Sequence, residues 1–293
     1  MPRLALICAL VVTLCVGIGT PVAADDAAAI RYVALGDSYA YGIGASDPAT
    51  DGYVGRFTAA LTAAARTTVG ALNLADPGAT SADLIGDFAT RGGRGESQLA
   101  RTVQLLSTGG VNLVTLDIGG NDILRLLGPG QPCAGAALVS DPCLAAVQGA
   151  LRGETVVNMP RIVAALVAAA QPGTRIIVLT YPNPYAVGTN STIEQRTNVA
   201  VQGLNTIITG AVTAAQPVAA ARGVTLATVD LFPLFAGRGG ALTHMLDAES
   251  DVHPTDAGYA VIADAVVSAY RSAAGTDQTG VPDRPRFITR LGG

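Results

Sequence analysis

The chain has 293 residues, of which 49% are hydrophobic and 14% charged, and its net charge is −4. That length and apolar content suffice for one substantial core. The 18 basic residues are all Arg and are scattered rather than clustered, so no basic stripe argues for a nucleic-acid partner.

Residues 1–24 read as a secretory signal: Arg3 supplies a positive start, residues 4–18 form an apolar run, and Val22-Ala23-Ala24 offers small residues for cleavage before Asp25. The run is short for a membrane span of about 20 residues. The expected protein is therefore secreted, with one domain over 25–273, a poorly ordered polar tail over 274–293, and no membrane span. Cys133 and Cys143 remain once residues 1–24 are removed. An even count in an exported chain favours a disulfide, with two free buried thiols as the alternative.

Five apolar, β-rich segments follow, at 32–35, 71–75, 111–118, 175–180 and 225–230. Helical patterns lie between them at 53–66, 98–107, 144–170 and 192–221, with Pro160 and Pro217 expected to break or bend the two long ones. The stretch 128–142 reads as a Gly/Pro-containing excursion pinned by the disulfide, and 181–191 as a second irregular loop. Thr255 is placed to cap a last helix ending near Tyr270. Strands alternating with helices predict an α/β domain with a mostly parallel sheet covered on both faces.

Chemistry concentrates at three places. Tyr32-Val33-Ala34-Leu35 ends abruptly in Gly36-Asp37-Ser38, which puts a serine at the carboxyl end of a buried strand, where open α/β sheets carry their sites. A serine hydroxyl needs an adjacent base. With no Lys and two His in the chain, His253 is the better candidate, set between an acidic cluster (Asp247, Glu249, Asp251) and a helix start, with Pro254 beside it. His244, in a glycine-containing loop, reads as a solvated residue. Asn121, after Gly119 and Gly120, and Gly78, in Asp76-Pro77-Gly78, are candidate donors to an oxyanion, together with the Ser38 N–H. The Gly-x-Ser-x-Gly elbow of α/β-hydrolases is missing, since Ala40 stands two after Ser38. Two His without ligand spacing argue against catalytic zinc, and no cofactor motif is present.

Taken in order, Gly36-Asp37-Ser38-Tyr39, Gly78, Gly120-Asn121-Asp122 and His253-Pro254 resemble the blocks of the SGNH hydrolase superfamily, the GDSL esterases and lipases, over about residues 31–270. The resemblance implies a flavodoxin-like three-layer α/β/α sandwich with a five-stranded parallel sheet. It implies Ser38 as nucleophile and oxyanion donor, Gly78 and Asn121 as further donors, and His253 as base. Asp37, Gly120 and Asp122 are implied in support, with no cofactor. The usual family Asp stands three before the His, and that position is Ser250 here. Asp251, two before, is the candidate third member, with Asp247, Glu249 or a backbone carbonyl as rivals. The expected activity is a secreted, monomeric serine esterase or lipase acting on a small-molecule or lipid ester. A carbohydrate O-acetyl esterase and a non-catalytic binding protein on the same fold are the alternatives. Absent Trp and 4% aromatic residues lean away from a carbohydrate site.

Overall fold

The computed structural model describes residues 30–65, 68–86, 96–248 and 250–274. The expected signal segment, the tail after residue 274, Arg66 and Glu249 lie outside the described residues. β1 (Arg31–Gly36) leads into the single turn α1 (Ser38–Tyr41), then α2 (Tyr53–Ala65) and β2 (Gly70–Asn73). Next come α3 (Ser81–Ile85), α4 (Gln98–Ser107) and β3 (Leu113–Asp117), then α5 (Gly120–Leu124), α6 (Asp141–Ala150), α7 (Val156–Ala169) and β4 (Arg175–Leu179). The chain continues through α8 (Thr192–Ala221), β5 (Thr225–Val229), α9 (Phe232–Phe235), α10 (Gly239–Leu242) and α11 (Asp256–Ala274).

All strand pairs are parallel, in the order β2-β1-β3-β4-β5. This is the flavodoxin-like order, in which the chain leaves β1 for one edge and returns to build the other. Right-handed crossovers then put α2 and α11 on one face and α4, α7 and α8 on the other. The expected three-layer α/β/α sandwich is what forms. Every residue of β3 is buried, as an apolar strand between two helical layers requires. β2 differs: all four of its residues are exposed, because it is an edge strand. It is also shifted from the expected 71–75, beginning one residue earlier and ending two earlier, since pairing with β1 covers Gly70 to Asn73.

Neither proline interrupts its helix. Pro217 lies inside the continuous 30-residue α8. Pro160 lies inside α7, and the chain reaches it through a five-residue π turn, Leu151–Thr155, that joins α6 to α7. A wider turn rearranges the carbonyl bonding next to a residue that has no N–H to donate. Thr255 accepts from Gly258 N–H at 3.3 Å, as a cap should, and α11 runs past Tyr270 to Ala274.

The excursion 128–142 carries a short 3₁₀ turn, Gly135–Val139, and is closed by the disulfide Cys133–Cys143, which spans 10 positions. A loop of that length predicts a contribution of about 2–3 kcal/mol. The Cys133→Ser/Cys143→Ser protein should therefore lose about that much stability in urea unfolding. An unchanged midpoint would show that the loop is held by packing alone.

Candidate active site

The strand order reverses between β1 and β3, and the residues that follow these two strands meet at the carboxyl edge of the sheet. Asp37 caps α1, its Oδ1 accepting from Tyr39 N–H at 3.0 Å. Ser38 therefore becomes the first residue of that turn, where a backbone N–H has no intrahelical acceptor. Its side chain lies in a cavity whose lining includes Gly120, Tyr181 and Val252. Gly36 is required just below. A Cβ there would fall 1.6 Å from Asp117 Oδ1, across the β1–β3 register.

His253 sits on the turn before α11, next to the cavity. Its ring centroid is 6.2 Å from that of Tyr39, whose hydroxyl donates to Val252 O at 3.0 Å. Asp251 Oδ1 lies 2.6 Å from His253 Nδ1 and also accepts the His253 N–H at 3.1 Å. Ser250, at the position where the family usually has its acid, adopts φ +49, a left-handed conformation directly before Asp251. Asp247, a rival for that contact, is bonded to His244 at 2.6 Å. The hydrogen bonds of the described residues do not include one between Ser38 Oγ and His253 Nε2, a contact that such pairs often tighten only with substrate.

Gly78, at φ +82, and Asn121 line one open cleft. That cleft adjoins the Ser38 cavity along Leu124, which borders both. The Asn121 amide is not idle: Nδ2 donates to Ala79 O at 3.0 Å and to Asp37 Oδ2 at 3.3 Å. Asp122 is fully buried and links three segments, accepting from Ser81 N–H at 2.8 Å and from Thr155 Oγ1, on the π turn, at 2.7 Å.

Two residues escaped the sequence reading. Tyr181 follows β4 and donates its hydroxyl to Asp37 Oδ2 at 2.6 Å, its ring lying where a Cβ on Gly120 would be, 2.7 Å from Cε1. Its position after a central strand was the signal, the same one that singled out Ser38 and Asn121. The second is Asp117, buried with neither carboxyl oxygen bonded. Burial, and then the neighbouring Asp37, push its pKa well above the carboxylate range. Burial also raises Asp37, to about 6, against the lowering effect of its donors Tyr181 and Tyr39. Asp37 accepts from the Tyr39 N–H, the Tyr181 hydroxyl and the Asn121 amide, and these donors favour its charged form.

A family model described as the GDSL-like lipase/acylhydrolase family matches residues 34–261, well over half of the chain. The chain belongs to that family. Membership makes this GDSL protein a carboxylic ester hydrolase. Among solved structures it is similar to phospholipase A1 from Streptomyces albidoflavus, with 25% identity, a TM-score of 0.56, and coverage of 83% of this chain and 100% of that one. It is also similar in fold to an extracellular lipase from Streptomyces rimosus, at 24% identity and TM-score 0.53, over 82% of this chain and 100% of the lipase. A family 3 carbohydrate esterase from Clostridium thermocellum shares the fold at 15% identity and TM-score 0.52, over 85% of this chain and 100% of the esterase. No curated protein sequence matches significantly. Among the described residues of this GDSL hydrolase, no helix is long and apolar enough to cross a membrane, and no group of three or more His, Cys, Asp or Glu could hold a metal ion.

Proposed function

We propose that the protein is a secreted serine esterase of the lipase type, acting on esters with an extended apolar acyl chain. The observation that carries this reading is the 2.6 Å Asp251–His253 pair at the sheet edge that also carries Ser38. His253 Nε2 takes the Ser38 proton as Oγ attacks the ester carbonyl carbon. Asp251 accepts from Nδ1–H, which keeps Nε2 free as the base and then stabilises the imidazolium. The Ser38 and Gly78 N–H groups and Asn121 Nδ2 meet the oxyanion. Asn121 does so by exchanging its longer bond, the 3.3 Å one to Asp37. His253 protonates the departing alcohol, and water repeats the sequence to free the acid. Export is supported by the composition of residues 1–24 and by a disulfide, which persists in oxidising compartments.

The acyl preference rests on a second cavity. The Ser38 cavity and an apolar cavity beneath the disulfide-closed excursion share Ile123, Leu124, Pro184 and Val201. Beyond these, Leu127, Leu138, Leu144 and Ala200 extend an apolar path away from Ser38. An acetyl group has no use for such a path. With p-nitrophenyl esters, kcat/KM should rise from acetate to octanoate by about fourfold per methylene buried, the equivalent of about 0.8 kcal/mol each. Ala200→Phe, which fills the path, should lower the octanoate-to-acetate ratio at least about tenfold. A flat profile in the parent protein would replace this reading with the acetyl esterase one.

A further inference from the structure

His244 is not the solvated loop residue its sequence context suggests. Its Nδ1 lies 2.6 Å from Asp247 Oδ2 and its Nε2 lies 2.9 Å from Gly44 O. Its main chain is tied as well: the N–H donates to His253 O at 3.0 Å, and the carbonyl accepts from Asp251 N–H at 3.1 Å. A carboxylate and a carbonyl only accept. Both ring bonds therefore exist together only when both ring nitrogens carry a proton, that is, in the imidazolium form. The charged groups around it agree, because Asp247, Asp251 and Asp256 all act on His244 or are acted on by it. His253, carried on the paired segment, is the other titratable ring nearby. The Asp247 hydrogen bond, then the Gly44 carbonyl, raise the His244 pKa above its usual range.

Gly44 closes the other side of the contact. It has φ +90, and a Cβ there would come 2.7 Å from Pro254 O and 3.0 Å from His253 Cβ. The segment that follows α1 thus lies directly on the turn that carries His253. Tyr259 OH, donating to Ile43 O at 2.6 Å, holds the same segment from α11.

We propose that His244 is a positioning residue: its doubly protonated ring clamps the segment following Ser38 to the turn that presents Asp251 and His253. The clamp is complete at pH below the ordinary His range, where the ring is charged in the folded and unfolded chain alike. It is lost as pH rises through the raised folded value, when one ring bond must break. Within the serine-hydrolase reading this sets opposite demands on two histidines of one loop, since His253 must be neutral to take a proton and His244 must be charged to hold it in place. Activity then falls on the alkaline side for a reason that lies outside the reacting atoms.

The test is nitrogen-15 NMR of the ring resonances, followed with pH alongside kcat/KM for a p-nitrophenyl ester. The expected result is a His244 ring protonated on both nitrogens at neutral pH, with amide protection at Asp251 lost as the ring deprotonates. In Asp247→Asn the ring transition should move to lower pH, because the hydrogen bond that raises it most is lost. The alkaline limb of kcat/KM should move with it, through kcat more than KM. A His244 ring with one proton at neutral pH, or an alkaline limb unmoved in Asp247→Asn, overturns the proposal. If Asp247→Asn does not fold, the parent protein decides alone, by whether Asp251 protection and the His244 ring change together. A protein without any esterase activity would defeat the serine reading, and the ring titration would still decide the clamp.

Discussion

Ser38→Ala is expected to lower kcat by about 10⁴- to 10⁶-fold with little change in KM, the scale on which loss of a serine nucleophile is felt. The remaining donors would still bind substrate and meet developing charge, which keeps a residual rate above that of water. The fold should survive. Ser38 is 7% exposed, and its hydroxyl makes no hydrogen bond among the described residues, so nothing is left unpaired by removing it. The comparison is made on octanoate and acetate together, with an organophosphonate as a second reading of the same atom. Labelling that persists in Ser38→Ala would assign the chemistry to another nucleophile.

Asp251→Asn should lower kcat by about 10³-fold, less than the ~10⁴-fold measured where such an aspartate is fully buried. The discount has a physical source. The Asp251 side chain is 42% exposed, so water can take over part of its contact with Nδ1, whereas the His253 side chain is only 20% exposed. An asparagine can also present its NH₂ to Nδ1, which favours the tautomer with the proton on Nε2 and leaves no base facing Ser38. Because Asp251 Oδ1 also accepts the His253 N–H, the substitution should loosen the turn as well. Near-parental activity would move the orienting role to a backbone carbonyl or to another acid.

The shifted acid shows how far residue spacing can be taken. Reading Ser250 where the family has its Asp left Asp251, Asp247, Glu249 and a carbonyl as competitors. Of the described candidates, Asp251 and Asp247 contact different histidines. Asp251, directly after Ser250 at φ +49, meets His253, and Asp247 meets His244. A positive φ at a serine is uncommon and has no propensity signal strong enough to predict it. His244 was misread for a related reason. Its immediate neighbours are loop residues, and nothing local announces an acceptor 200 positions away at Gly44.

What the amino-acid sequence determined by itself was local and periodic. Apolar runs placed the five strands, helical spacing placed the connections between them, and Thr255 and the pair Cys133 and Cys143 marked a cap and a closed loop. Those features follow from burial and backbone bonding within a few residues of each position. The position of Ser38 and Asn121 at strand ends was legible too, since a parallel sheet delivers the ends of its strands to one edge. Tertiary structure alone decided which side chains meet there. Tyr181 reaches Asp37 across 144 positions, and Asp122 joins Ser81 to Thr155. Such bonds are set by distances between elements packed against one sheet, which depend on every intervening crossover and leave no imprint on the pattern of either partner's neighbours.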